Sequence, residues 1–271
     1  MKVYQKVKIT VIYLSVIYIL LNLGIYFFHD NFIFMTQKSS KLDVDNILEN
    51  NPRSISISVT ANDGTLLHGF LINQNNNKPK KVVLVFLGNA QKINSNLIKY
   101  FSSFENWSFV LVDYRGYGQS EGHPSENVLY SDALSVYKWI KEKLNPSQFA
   151  VFGHSLGSAV ATQLASKASF EKIVLISPFE SCIKLAEEYL PTFYLPLLFK
   201  YKFESELYAK QIETPVHVFV GTKDNIVPNS HSRKLFECWK SGGTYIKIVG
   251  ADHNNMLGQK QFFYELHKLF N

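Results

Sequence analysis

Apolar positions fall into two regimes: one unbroken run near the N-terminus, then short runs that alternate with amphipathic stretches. Ser54–Thr60 (SISISVT) alternates polar and apolar, Asn62-Asp63-Gly64 is a hairpin turn signal, and Thr65–Ile72 returns. This predicts a β-hairpin. Almost wholly apolar runs follow at Val82–Leu87, Phe109–Asp113, Phe149–Phe152, Ile173–Ile176, Val216–Val220 and Tyr245–Val249. Helical patterns accompany them at Ser95–Phe104, Ser125–Leu144, Ser155–Lys167, Asn229–Trp239 and Gly258–Phe270. Leu129, Ala133, Val136, Ile140 and Leu144 share one face, as do Phe262, Leu266 and Leu269. Strands this apolar must be buried on both faces. The chain therefore reads as α/β, a mostly parallel sheet covered by helices on both sides.

The first regime is Ile9–Phe28, 20 residues without a charge. As a helix it would extend about 30 Å, enough to cross a bilayer core. A cleaved signal peptide needs a shorter apolar core and small residues at the cut, whereas His29-Asp30-Asn31-Phe32 follows directly. A helix of a soluble core would carry a polar stripe, and this run has none. It reads as a single transmembrane anchor. Lys2, Lys6 and Lys8 precede it, so residues 1–8 are expected in the cytoplasm and the C-terminal domain on the outer or luminal side. Residues 29–52 read as a linker, with a short helix around Val44–Glu49. Residues 53–271 read as one globular domain with a small cap near 180–212.

Composition narrows the choice of partners. With 271 residues, 46% hydrophobic, the chain can bury a full core. Half of the net charge of +6 comes from the three leading lysines. The rest is scattered, without the basic cluster that would track a nucleic-acid backbone. Cys182 and Cys238 cannot make a disulfide framework or a four-ligand zinc site, and they read as two unpaired thiols.

The chemistry is concentrated at Gly153-His154-Ser155-Leu156-Gly157, between an apolar strand and an Ala-rich helix. A serine between glycines at a strand-to-helix turn is a nucleophile elbow: the turn holds the serine in a strained conformation and small neighbours admit the crossing chain. A serine hydroxyl needs a base within reach and a third group to orient that base. In such a sheet the working groups lie beyond the C-terminal ends of strands. Of eight histidines, His253 is the one that follows a strand end, while the side chain of His154 should point away from that of Ser155. Asp224 follows Val216–Val220 and completes the order serine, acid, histidine. Glu180, after Ile173–Ile176, is the alternative acid, and Asp252 reads as a loop-shaping residue.

GHSLG, GTKDNIVP and GADH in this order resemble the α/β-hydrolase fold. Asp113 to Gly122 (DYRGYGQSEG), Pro124-Ser125-Glu126 and Ser177-Pro178-Phe179-Glu180-Ser181 are similar to the membrane-anchored bud-emergence-type subgroup. The resemblance implies a serine hydrolase without metal or organic cofactor, acting on acyl-ester or acyl-thioester substrates of lipid character. It also implies an oxyanion hole from the backbone amides of Asn89 and Leu156. This chain departs from the family at Leu87, where the pattern His-Gly-Asn-Ala is usual, which puts the pose of that loop in question. Arg115, with Asp113 and Tyr114, is expected to brace the loop after the fourth strand. Leu190–Phe199 reads as cap packing or as a wall for an acyl chain. A serine peptidase and a catalytically weak binding or scaffold protein remain as alternatives.

Overall fold

The computed structural model describes residues 2–73, 78–189 and 199–270. Among them, eight strands form one sheet: β1 (Ser54–Thr60), β2 (Leu66–Ile72), β3 (Lys81–Phe86), β4 (Ser108–Val112), β5 (Gln148–His154), β6 (Lys172–Ile176), β7 (Val216–Gly221) and β8 (Gly243–Ile248). Their order is β1-β2-β4-β3-β5-β6-β7-β8. β2 runs antiparallel to both of its neighbours, β1 and β4, and the pairings from β4 to β8 are parallel.

The apolar runs form strands because each has a core on both sides. Val82, Leu84 and Phe86 of β3 face one cluster, together with Val151 of β5 and Leu175 of β6. Val83 and Val85 face the other, with Phe152 and Ile176. On the first side lie α4 (Glu126–Lys143) and α5 (Leu156–Ala165), contributing Leu129, Val136 and Ile140 and the alanines 159 and 161. On the second lie α2 (Lys41–Asn50), α3 (Ser95–Ser102) and α9 (Lys260–Phe270). The seam of α9 is Phe262, Leu266 and Phe270, with Leu269 only partly buried. The inward stripe thus follows i, i+4, i+8 rather than the expected turn to position 269.

Polar residues set the helix starts. Ser125 accepts from Val128 N–H (3.4 Å) at α4 and Asn94 from Leu97 N–H (3.0 Å) at α3. At α2, Ser40 and Asp43 form a reciprocal capping box, which starts this helix at Lys41, before the expected Val44. The remaining α-helices among the described residues are α1 (Lys2–Ile33), α6 (Cys182–Tyr189), α7 (Ser205–Ala209) and α8 (Asn229–Cys238). Leu190–Leu198 lie outside the described residues. Cys182 and Cys238 are both free thiols.

Segment 33–40 is bonded to the domain rather than hanging from it. Phe34 is buried, Gly118 N–H donates to Gln37 O (2.7 Å) and Ser39 N–H to Gly118 O (3.0 Å). Arg115 braces the β4 loop, but with different partners from those expected. It donates to both carboxylate oxygens of Asp132 on α4 (each 2.7 Å) and to those of Asp63 in the β1–β2 turn (2.6 and 2.9 Å). Asp113 instead sits 3.6 Å from His68. The guanidinium is long enough to reach past its own loop, and two carboxylates converge on it. Removing one member of a buried ion pair leaves the other uncompensated, at a cost of about 3–5 kcal/mol. Arg115→Ala should therefore lower Tm by roughly 6–20 °C in a thermal melt. A shift below about 3 °C would show that the network does not brace the fold.

Candidate active site

The site begins with a backbone crossing. Gly153, the penultimate residue of β5, lies against the backbone of Gly157 and Ser158, and a Cβ at Gly157 would collide with the carbonyl oxygens of Phe86 and Leu87. Between these glycines Ser155 takes φ +53° and ψ −118°, a strained conformation for a residue with a Cβ. Its N–H is held by Ile176 O (2.9 Å). The turn lifts the Ser155 side chain above the sheet at the start of α5.

His253 and Asp224 converge on it from two other strand ends. Ser155 Oγ lies 3.0 Å from His253 Nε2, and His253 Nδ1 lies 2.9 Å from Asp224 Oδ2. With Nδ1–H donating to the carboxylate, Nε2 is left to accept the serine proton; the tautomer is assigned from these partners. Asp224 is fixed in turn, its Oδ1 accepting from Ile226 N–H (3.0 Å) and Val227 N–H (2.8 Å). Burial opposes ionisation of Asp224, but the hydrogen bonds from His253 and the Val227 amide outweigh it and hold the carboxyl below its ordinary value. Asp252 accepts from the backbone N–H of Asn254 and Asn255 (2.9 Å each), shaping the turn that presents His253.

His154 stays out of this relay. Its Nε2 is 3.1 Å from His253 O and its Nδ1 3.2 Å from Gln91 Oε1. Burial, reinforced by the neighbouring His253, pushes its pKa down to about 3, so the ring is neutral and supports the catalytic-site turn without adding charge. Glu180 is also placed elsewhere. It is buried against His231, 2.8 Å from Nδ1. Burial works against its ionised form, yet the hydrogen bond from His231 keeps it below the usual carboxylate range.

Asn89 and Leu156 both border a cleft of about 280 Å³ that contains Ser155 and His253. Leu156 is the first residue of α5, where an N–H has no acceptor within the helix. The loop bearing Asn89 is tied at each residue: Tyr114 O–H donates to Leu87 O (2.8 Å), Gly88 N–H to Gln91 Oε1 (2.8 Å), and Tyr117 O–H to Asn89 Oδ1 (2.7 Å). Leu87 itself is buried in the α3–α9 side of the core. Leucine at this position therefore holds the loop by packing. Sequence reasoning missed Gln91, Tyr117 and the supporting role of His154, because each acts through a partner far away in the chain.

A serine on a strained elbow, a histidine within hydrogen-bond distance of it and of a buried carboxylate, and this sheet order are those of an esterase-like α/β hydrolase fold. Comparison with known proteins agrees: residues 81–206 match the alpha/beta hydrolase fold family. The uncharacterized protein Rv2307c of Mycobacterium tuberculosis is 31% identical over 208 residues, 75% of this chain and 74% of that protein. The chain belongs to the alpha/beta hydrolase fold family. It is also 33% identical over 178 residues to lysophosphatidylserine lipase ABHD12 of Danio rerio, 58% of this chain and 46% of that protein. Among solved structures, the Pyrococcus furiosus esterase Pf2001 superposes with a TM-score of 0.66 at 18% identity, over 82% of this chain and 93% of that one.

Two outcomes follow from this geometry. Asp224→Asn should lower kcat by on the order of 10³ or more, whereas Glu180→Gln should leave the folded protein within about tenfold of the parent. The reverse pattern in steady-state ester hydrolysis would transfer the acid role to Glu180. Restoring the family's residue with Leu87→His should change kcat by less than about tenfold, under ~1.4 kcal/mol. A larger gain at unchanged KM would mean that the loop needs an imidazole to present its amide.

Proposed function

We propose that this protein is a membrane-anchored serine hydrolase that cleaves carboxylic ester or thioester bonds of lipid-like acyl substrates. Ser155 attacks the acyl carbonyl as His253 takes its proton. The tetrahedral oxyanion is met by the amides of Asn89 and Leu156, and His253 returns the proton to the leaving group. Water then repeats the cycle on the acyl-enzyme, with Asp224 orienting the imidazole throughout. The observation that carries this reading is the aligned pair of contacts, 3.0 Å from serine to histidine and 2.9 Å from histidine to aspartate.

Substrate character is argued from the cleft and from the relatives. Phe179, Leu185, Ile226 and Val227 give it an apolar wall beside Ser155, which suits an acyl chain. A relative named as a lysophosphatidylserine lipase points the same way. The anchor is supported by the stretch Val3–Gly24 of α1, 22 residues with none of it buried against the domain. Its length of about 33 Å matches a bilayer core. Lys2, Lys6 and Lys8 precede the uncharged run Ile9–Phe28 within α1 and favour a cytoplasmic N-terminus, which would put the hydrolase domain on the outer face.

The full-length protein in detergent should be labelled by a fluorophosphonate probe and should hydrolyse p-nitrophenyl esters between two and sixteen carbons, with both activities lost in Ser155→Ala. Absence of labelling in the folded parent would contradict the hydrolase reading and favour a binding protein.

A further inference from the structure

The end of the N-terminal helix is built into the active site. Ile33, the last residue of α1, and Met35 border the same cleft as Ser155, Leu156 and His253. Between them Phe34 is driven into the core, edge-on to Tyr201 with ring centroids 5.0 Å apart. Met35 N–H donates to Asn89 Oδ1 at 2.9 Å, an oxygen that also accepts from Tyr117 O–H and from Ala90 N–H (3.0 Å). Three donors from three segments thus converge on one side-chain oxygen of the loop that carries the Asn89 amide. Downstream, Lys38 Nζ donates to Ser120 O (2.9 Å), so the strap is fastened on both sides of Met35.

Distance along the helix gives this arrangement a meaning. From Phe28, where the uncharged run ends, to Ile33 the helix rises about 8 Å. The polar layer between the hydrocarbon core and water is about 5–8 Å deep on each side of a bilayer. The cleft wall at Ile33 and Met35 therefore stands at the outer edge of the polar layer, where an acyl chain lifted through the headgroups beside the helix would meet it. With a volume of about 280 Å³, the cleft falls just below the range of small-molecule sites, roughly 300–1,000 Å³. That is room for one acyl chain.

We infer that residues 33–35 are the acyl-chain wall of this enzyme and the strap that positions its oxyanion loop through Asn89, so that substrate acyl chains reach Ser155 from the leaflet beside the helix. The inference rests on the membrane-anchored serine hydrolase reading. Ile33 and Met35 act as specificity residues, because they border the cleft with apolar side chains that carry no group for the chemistry. The Asn89 side chain acts as a positioning group, since its oxygen faces the strap while its backbone N–H serves the oxyanion.

The test uses the full chain reconstituted in phosphatidylcholine vesicles, with p-nitrophenyl palmitate in the bilayer and p-nitrophenyl butyrate in solution. Ile33→Trp and Met35→Trp should each lower the palmitate-to-butyrate ratio of kcat/KM by tenfold or more. Leu42→Trp, exposed on α2, should leave that ratio within twofold. Unchanged ratios in both cleft variants, with fluorophosphonate labelling retained, would overturn the inference and leave the hydrolase reading standing. Should either variant lose labelling, the parent protein decides: palmitate ester in its own vesicles should be cleaved at least tenfold faster than the same ester held in separate vesicles. Equal rates would overturn the inference. A parent that is neither labelled nor active on either ester removes the hydrolase reading and this inference together.

Discussion

The structure depends on a crossing of backbones that leaves no room for a side chain. The start of α5 lies against the carbonyls of Phe86 and Leu87 at Gly157, and the end of β5 lies against α5 at Gly153. That contact fixes the elbow and the Asn89-bearing loop relative to each other, because the loop begins at the very carbonyls on which Gly157 rests. The left-handed backbone at Ser155 costs on the order of 1–3 kcal/mol. It persists because the surroundings over-determine it. β5 is paired on both edges, and all ten residues of α5 are buried.

Around this pivot the charged groups are arranged so that few ionised states are possible. Asp224 is ionised and fully engaged, by one imidazole and two backbone amides. His154, 5.1 Å from His253 between ring centroids, is kept neutral by burial. A charged ring there would raise the cost of forming the imidazolium on His253, which is the species the aspartate stabilises. Glu180, the other carboxylate at a nearby strand end, is paired with His231 and withdrawn from competition. One serine, one histidine and one carboxylate are left within hydrogen-bond distance of each other, the arrangement the proposed mechanism needs.

The parts of this arrangement that were legible in sequence share a cause. Strand ends, the elbow pattern and the order of serine, acid and histidine are local signals, and fold topology converts them directly into proximity. That Ser155, Asp224 and His253 lie together could therefore be expected from position alone. The strand and helix pattern was legible for the same reason, since period and burial coincide. What stayed hidden was held by long-range contacts between irregular segments. Residues 29–52 read as a linker with one short helix, yet Met35 bonds to Asn89 across 54 positions. Arg115 was expected to act on its neighbours, but its reach takes it to Asp63 and Asp132. The departure at Leu87 put the pose of the loop in question because burial of that side chain in the core leaves no trace in a four-residue pattern.

The central claim is that Ser155 carries the acyl group during turnover. Mixing excess full-length enzyme with a p-nitrophenyl ester, quenching in acid within the first turnover and mapping the peptides by mass spectrometry tests it directly. One acyl adduct is expected on Ser155, formed in step with p-nitrophenol release and limited by the ester added, with no adduct in Ser155→Ala. Turnover with no acyl-enzyme, or with the adduct on another residue, would contradict it.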